Sequence, residues 1–169
     1  MEDINLKEEF IKYFGKKKWE EEEILSQLNN EIGYALAKYL EVSPIPVVTE
    51  KVEEDSRFYT KELYIAISDA LISDFTESLK CLIHEYRHYK QLMCVTQKIT
   101  TEPNYESWKE DLRIINQIKD PADTMCLSVE IDAYAFTKYL MDKWFNIEII
   151  HYDPLYEEVL IRYIKKNFN

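Results

Sequence analysis

Residues 84–88 read His-Glu-Tyr-Arg-His, and these residue types at this spacing could hold a metal ion and use it. On a helix, His84 and His88 lie on the same side, so one nitrogen of each ring can reach a single ion. Glu85 is placed to act on a water that the ion binds. Two histidines at a helical spacing can also be ordinary packing residues. The interpretation of this motif as a metal site therefore depends on finding a third ligand.

Glu130 is the best candidate for that ligand because of its place on its own helix. Apolar residues over 122–144 repeat at a helical period, and Glu130 falls inside their arc, whereas Asp132 and the other charges lie outside it. An unpaired carboxylate that faces a core is strongly unfavourable, so Glu130 needs a partner. A zinc ion is one such partner, and an arginine from a neighbouring helix is another.

The composition limits the class of protein. The chain has 169 residues, of which 46% are hydrophobic, which suits a single compact domain over residues 1–169. A net charge of −11 argues against a nucleic-acid partner, since phosphate binding requires a basic surface. No stretch is apolar for long enough to cross a membrane. The three cysteines fit a reducing compartment, and the chain does not begin like a signal peptide, so we expect a cytoplasmic protein.

The apolar pattern predicts an α+β fold that is mostly helical. Residues 1–42 should form the N-terminal helices, one ending near Gly15 and one from about Trp19 to Leu40. A small sheet of about three strands should follow, with a strand from Val47 and a hairpin over 58–67.

The helix that carries the histidines should begin at an N-cap, Asp74, and run to about Val95. Tyr86 lies on its main apolar stripe and is expected to pack in the core, whereas the histidines project on the opposite side beside other apolar residues. Gln91 shares the histidine side, where a structural hydrogen bond is its simplest role. Such a helix is buried on both sides, so the histidines should face a cleft.

Four further elements are expected towards the C-terminus. A helix is predicted around 108–117, and Asp120-Pro121 should then open the helix that carries Glu130. Residues 147–150 could form a short strand, and Asp153-Pro154 should start a last helix, so 146–169 would contribute a strand and a helix.

The two motifs together resemble those of the gluzincin metallopeptidases, in which HExxH is followed by a helix with E-x-x-A, here Glu130-Ile131-Asp132-Ala133. The short chain is similar to the minigluzincins and to the peptidases that cleave phage repressors. The resemblance implies a zincin-like core over 45–145, in which a small sheet precedes the active-site helix. It also implies that an edge strand aligns the peptide substrate, a role that would fall to residues 63–68.

The chain departs from this pattern at one position. Many gluzincins carry an aspartate four residues after the glutamate ligand, where it orients a histidine, and here that position is Tyr134. Asp132 points about 200° away around the helix and is a poor substitute. Tyr134 could form a hydrogen bond in its place, or the histidines could be held by other groups. The departure bears on catalytic power more than on metal binding.

The chemistry expected of these residues is amide hydrolysis. His84, His88 and Glu130 would hold one Zn²⁺ with a coordination position left open. Glu85 would act as the general base and return the proton to the leaving amine. His151 and Tyr134 could stabilise the transition state, although a plain loop histidine and a packing tyrosine are the simpler interpretations.

The cysteines are expected to be small core residues at positions 81, 94 and 126, with metal contact by Cys81 as the alternative.

Three functions remain open at this point. The leading one is a zinc-dependent intracellular endopeptidase with a peptide or protein substrate. The alternative is a regulatory or binding module that keeps the metal site and has lost turnover. The third is a helical interaction protein with a chance motif, against which the core-facing Glu130 argues. The ligand types favour zinc over other divalent metals, and the oligomeric state is left open.

Overall fold

The computed structural model describes residues 22–71, 74–118 and 121–168, which form helices around one small sheet. The elements in chain order are α1 (Glu22–Tyr39), β1 (Val47–Glu50), β2 (Ser56–Tyr59), β3 (Tyr64–Ser68), α2 (Phe75–Thr96), α3 (Tyr105–Ile114), α4 (Pro121–Thr124), α5 (Ser128–Phe145) and α6 (Pro154–Asn167). This confirms the predicted α+β class, mostly helical with a three-stranded sheet before the histidine helix. The helix expected to end near Gly15 lies outside the described residues. Across the described ranges, no helix has both the length and the apolar character of a membrane span.

The sheet has the order β1-β3-β2, with β3 parallel to β1 and antiparallel to β2. The predicted hairpin is confirmed, but the expectation that residues 63–68 form an edge strand is wrong, because β3 is the central strand. Ile65, Ala66 and Ile67 are all fully buried, so both faces of β3 are covered. The apolar residues that alternate along this segment predicted a strand with one face in the core. They did not predict that the other face, which carries Ala66, is buried as well. The strand at the edge nearest α2 is β2.

Helix α1 approaches α2 closely, and Tyr86 lies at the crossing. The Tyr86 side chain is fully buried, as predicted, and its hydroxyl donates to the Ile45 carbonyl at 3.2 Å and accepts from the Ile45 N–H at 3.4 Å. A Cβ atom at Gly33 would lie 3.0 Å from the Tyr86 ring and 3.2 Å from Val47. Glycine at position 33 therefore leaves room for the close approach of the ring, which a larger residue would have to displace by a few tenths of an ångström.

The helix that carries Glu130 starts later than the sequence predicts. Instead of one helix from residue 122, α4 ends at Thr124 and α5 begins at Ser128. The cause is Asp111 of α3, whose carboxylate accepts hydrogen bonds from the Ser128 N–H at 2.6 Å, the Val129 N–H at 3.2 Å and the Ser128 hydroxyl. A distant side chain thus satisfies the first amides of α5.

Two cysteine predictions depend on these elements and have opposite outcomes. Cys94 on α2 is buried, as predicted. Cys126 lies in the break between α4 and α5 and is exposed, so the expectation that it packs in the core is wrong.

The segment after α5 is irregular. Asn146 ends the helix in the left-handed conformation, with φ of 55°. The strand expected over 147–150 is not formed, and no strand pairs with this segment within the described residues. Instead, the Lys138 ammonium holds the segment by donating to the Ile149 carbonyl. The predicted start of α6 is confirmed, since Asp153 accepts from the Leu155 N–H at 2.9 Å.

We predict that Asp111→Ala destabilises the metal-free protein by about 1–2 kcal/mol, because the first amides of α5 lose their acceptor. Urea unfolding followed by circular dichroism measures the change. Asp111→Asn keeps one oxygen and should lose less, and Glu110→Ala, which removes only an exposed pair with Arg113, should change little. If Asp111→Ala and Glu110→Ala are equally stable, Asp111 does not determine where α5 begins.

Candidate metal centre

Helices α2 and α5 bring three potential ligands together. His84 and His88 lie one turn apart on α2, and Glu130 lies in the first turn of α5. One ligand atom from each residue lies within 4.8 Å of the others. The histidine Nε2 atoms each lie 3.4 Å from a different oxygen of Glu130. The predicted triad is therefore assembled, and it could hold a metal ion.

The distances suit a tetrahedral ion. Bonds of about 2.0–2.1 Å to a tetrahedral ion separate neighbouring ligand atoms by about 3.3–3.4 Å. Each histidine Nε2 lies at that separation from one oxygen of Glu130, His84 from Oε2 and His88 from Oε1. The two Nε2 atoms are 2.9 Å apart, so they would have to separate by roughly half an ångström around an ion. The side chains of all three are 15–17% exposed, which shields the site while leaving it reachable.

The charges of the triad favour a cation. Burial by itself raises the pKa of Glu130, but hydrogen bonds from His84 and His88 outweigh it and hold this pKa well below its usual range. Burial lowers the pKa of His88, but the hydrogen bond and charge of Glu130, together with the charge of Glu85, raise it to about 9. In the metal-free protein, a protonated His88 thus supplies the positive charge next to Glu130.

Glu85 lies beside the triad and faces β2. It is buried, and the Ser56 hydroxyl donates to its Oε1 at 2.8 Å. Its charge is near enough to act on His88. Glu85 is not one of the three ligands, and its role as a general base stays a prediction.

Behind His88 lies a polar network that the sequence analysis only partly anticipated. The Gln91 Oε1 is 2.9 Å from the His88 Nδ1, and the Gln91 Nε2 donates to Asp132 at 2.7 Å. Asp132 is fully buried and forms a two-point ion pair with Arg87 at 2.7 and 3.0 Å. The structural hydrogen bond expected of Gln91 is present. Asp132 does not replace the aspartate expected at Tyr134 by direct contact, but Gln91 connects it to His88.

Aromatic side chains lie next to His84. The Tyr134 ring lies 4.6 Å from the His84 ring, measured between centroids, and 6.3 Å from the His151 ring. His151 is outside the triad, and its Nδ1 accepts from the Asp153 N–H at 3.1 Å, which suits a loop histidine. Roles for Tyr134 and His151 in the transition state stay predictions.

Tyr156 of α6 is a residue that the sequence analysis missed. Its ring lies 6.0 Å from Tyr134 and 4.7 Å from His151. Its hydroxyl is buried with no hydrogen-bond partner in the described part of the chain. Burial, with the nearby Tyr134 and Glu130, raises its pKa, so the phenol is a neutral donor beside the site. With 13 tyrosines in the chain, no local pattern distinguishes this one.

Cys81 behaves as a packing residue. It is partly buried one turn before Glu85, and burial raises the pKa of its thiol to about 12 despite a hydrogen bond with Ser56. Its sulfur is not among the ligand atoms that lie within 4.8 Å of one another, which belong to His84, His88 and Glu130. The packing interpretation is therefore favoured over metal contact.

Comparison of the chain with protein-family models, with curated proteins and with solved structures finds no match in any of the three. What the chain shows by itself is a possible metal-binding triad in a small α+β domain. Its function is therefore inferred from its own residues.

We predict that Glu130→Ala lowers metal affinity at least tenfold, because the triad loses its anionic member. Competition with a chromophoric chelator for Zn²⁺ measures the affinity. Glu148→Ala, which removes an exposed acid outside the triad, serves as the matched control and should bind like the parent. Unchanged affinity in Glu130→Ala would place the third ligand elsewhere.

We also predict that metal binding displaces a proton from His88. The ion needs a neutral ring, and since the pKa of about 9 lies above neutral pH, His88 holds a proton there. Affinity should rise about tenfold per pH unit up to that pKa and then level off. Isothermal titration calorimetry in buffers of different ionisation enthalpy counts the protons released. A binding enthalpy independent of buffer would contradict the prediction.

Proposed function

We propose that the protein is a zinc-dependent peptidase. The observation that carries the proposal is the placement of Glu85, a buried carboxylate outside the triad, next to three ligands on the same two helices. His84, His88 and Glu130 would hold the ion, and two neutral nitrogens with one oxygen suit zinc. A bound zinc ion supplies Lewis acidity, which lowers the pKa of a water towards about 7 and polarises a carbonyl.

Glu85 would perform the proton transfers. It takes a proton from the attacking water and gives it to the leaving amine as the peptide bond breaks. Ser56 supports this role because its hydroxyl holds one carboxylate oxygen, Oε1, and thereby leaves Oε2 for the water. The bond also ties the base to β2, where the substrate is expected to lie.

The edge of β2 is the proposed docking strand for the peptide. In the antiparallel register, the Asp55 carbonyl accepts from the Ser68 N–H. By the alternation of such a pair of strands, the backbone N–H and C=O groups of Arg57 and Tyr59 also point towards β3. The N–H and C=O groups of Ser56 and Phe58 therefore point away from β3, at the edge of the sheet that the described residues form. An extended peptide added there would run past Glu85. We therefore propose that β2, and not residues 63–68, aligns the peptide substrate.

We predict that Glu85→Gln abolishes hydrolysis while leaving zinc content unchanged. The amide keeps the size of the side chain and an oxygen for Ser56, but it cannot take a proton at neutral pH. Activity is measured on a mixture of unfolded proteins, with products identified by mass spectrometry, and zinc is measured by elemental analysis.

Glu77→Gln is the matched control, because Glu77 lies on the same helix and pairs with Lys80 away from the triad. It should keep full activity. Turnover by Glu85→Gln would remove Glu85 as the base. A parent protein that binds zinc and cleaves nothing would instead favour the binding module.

A further inference from the structure

We propose that Gln91 is the residue that positions His88, and that Asp132 holds Gln91 in the orientation this requires. The inference rests on the proposed metal site, since it concerns how one of its ligands is made ready. A metal-binding histidine needs a lone pair on the nitrogen that binds, here Nε2 of His88, and this is set by the hydrogen bond at its other nitrogen.

The orientation of the Gln91 amide follows from its neighbours. Its nitrogen lies 2.7 Å from the Asp132 Oδ2 and 2.9 Å from the Val129 carbonyl oxygen. Both of these atoms only accept hydrogen bonds, so they must face the amide NH₂. The amide oxygen is left for His88, at 2.9 Å from Nδ1. A flipped amide would set oxygen against two acceptors.

Asp132 is rigid enough to enforce this arrangement. Its carboxylate is fully buried and accepts four hydrogen bonds, two from Arg87, one from Gln91 and one from the Tyr163 hydroxyl at 3.0 Å. Four bonds fill the acceptor capacity of a carboxylate. Arg87 is in turn enclosed by aromatic rings, at 4.8 to 5.6 Å from the centroids of Phe136, Trp108 and Phe168.

The consequence for His88 is a fixed tautomer. Because the Gln91 oxygen can only accept, the His88 Nδ1 must donate and therefore carries the proton of the neutral ring. The lone pair then lies on Nε2, the atom that faces His84 and Glu130. Gln91 thus selects the form of the ring that binds a metal and holds the ring plane in place.

Gln91→Met tests the proposal, because methionine has a similar length and cannot accept from Nδ1. The tautomer is read from long-range ¹H–¹⁵N NMR of metal-free protein, titrated until the His88 ring is neutral. The parent should carry its proton on Nδ1, and Gln91→Met should shift the population towards Nε2–H, the form that free histidine prefers. Affinity for Zn²⁺, measured by chelator competition, should fall about 10–100-fold.

Two further variants separate positioning from packing. Tyr163→Phe removes one hydrogen bond from the same carboxylate but leaves the Gln91 contacts in place, so the tautomer should stay that of the parent and the affinity should fall less than in Gln91→Met. Gln91→Glu keeps an acceptor for Nδ1, so the Nδ1–H form should be retained. It also keeps the proposal testable if Gln91→Met does not fold.

Two results would overturn the proposal. One is an Nδ1–H tautomer that persists in Gln91→Met, and the other is an equal loss of zinc affinity in Gln91→Met and Tyr163→Phe. The NMR measurement is independent of catalysis and of metal. A parent protein without hydrolytic activity would therefore count against the proposed function and leave the role of Gln91 to be decided by the tautomer.

Discussion

The arrangement of the site depends on the buried carboxylate of Asp132. It pairs with Arg87 on α2 and accepts from Tyr163 on α6, so it links three helices at one point. Removing one partner of such a pair leaves an uncompensated buried charge, which costs about 3–5 kcal/mol. Asp132 lies two residues after Glu130 on α5. The interaction that joins α5 to α2 therefore also sets how far Glu130 lies from the two histidines.

The five residues of the α2 motif contact three neighbouring elements, α1, α5 and β2. Tyr86 packs against α1, Arg87 pairs with α5, and Glu85 is held by β2. His84 and His88 are left for Glu130. A helix turns about 100° per residue, so only a helix surrounded by other elements can place five consecutive residues in this way. The position of α2 between the sheet and the other helices is thus a condition for the metal site.

Features that depend on neighbouring residues could be predicted from the sequence. The start of α2 at Asp74, the start of α6 at Asp153 and the hairpin of β2 and β3 all follow from local turns and caps. The features that could not be predicted depend on distant contacts. Asp111, 17 residues before Ser128, accepts hydrogen bonds from the start of α5, where one continuous helix was expected. Strand β3 is central because β1 pairs along the side that faces away from β2. No sequence pattern within either segment identifies a contact with a residue so far along the chain.

For the site, the sequence by itself determined the ligand types: two histidines at a helical spacing, the glutamate between them, and an acid on the apolar side of a second helix. The tertiary structure decided whether these residues meet, which strand borders Glu85, and that Gln91 and Asp132 stand behind His88. The physical reason is the range of the interactions involved. Spacing along a helix fixes which side chains share a face, whereas distances between helices are set by buried packing and ion pairing over the whole domain.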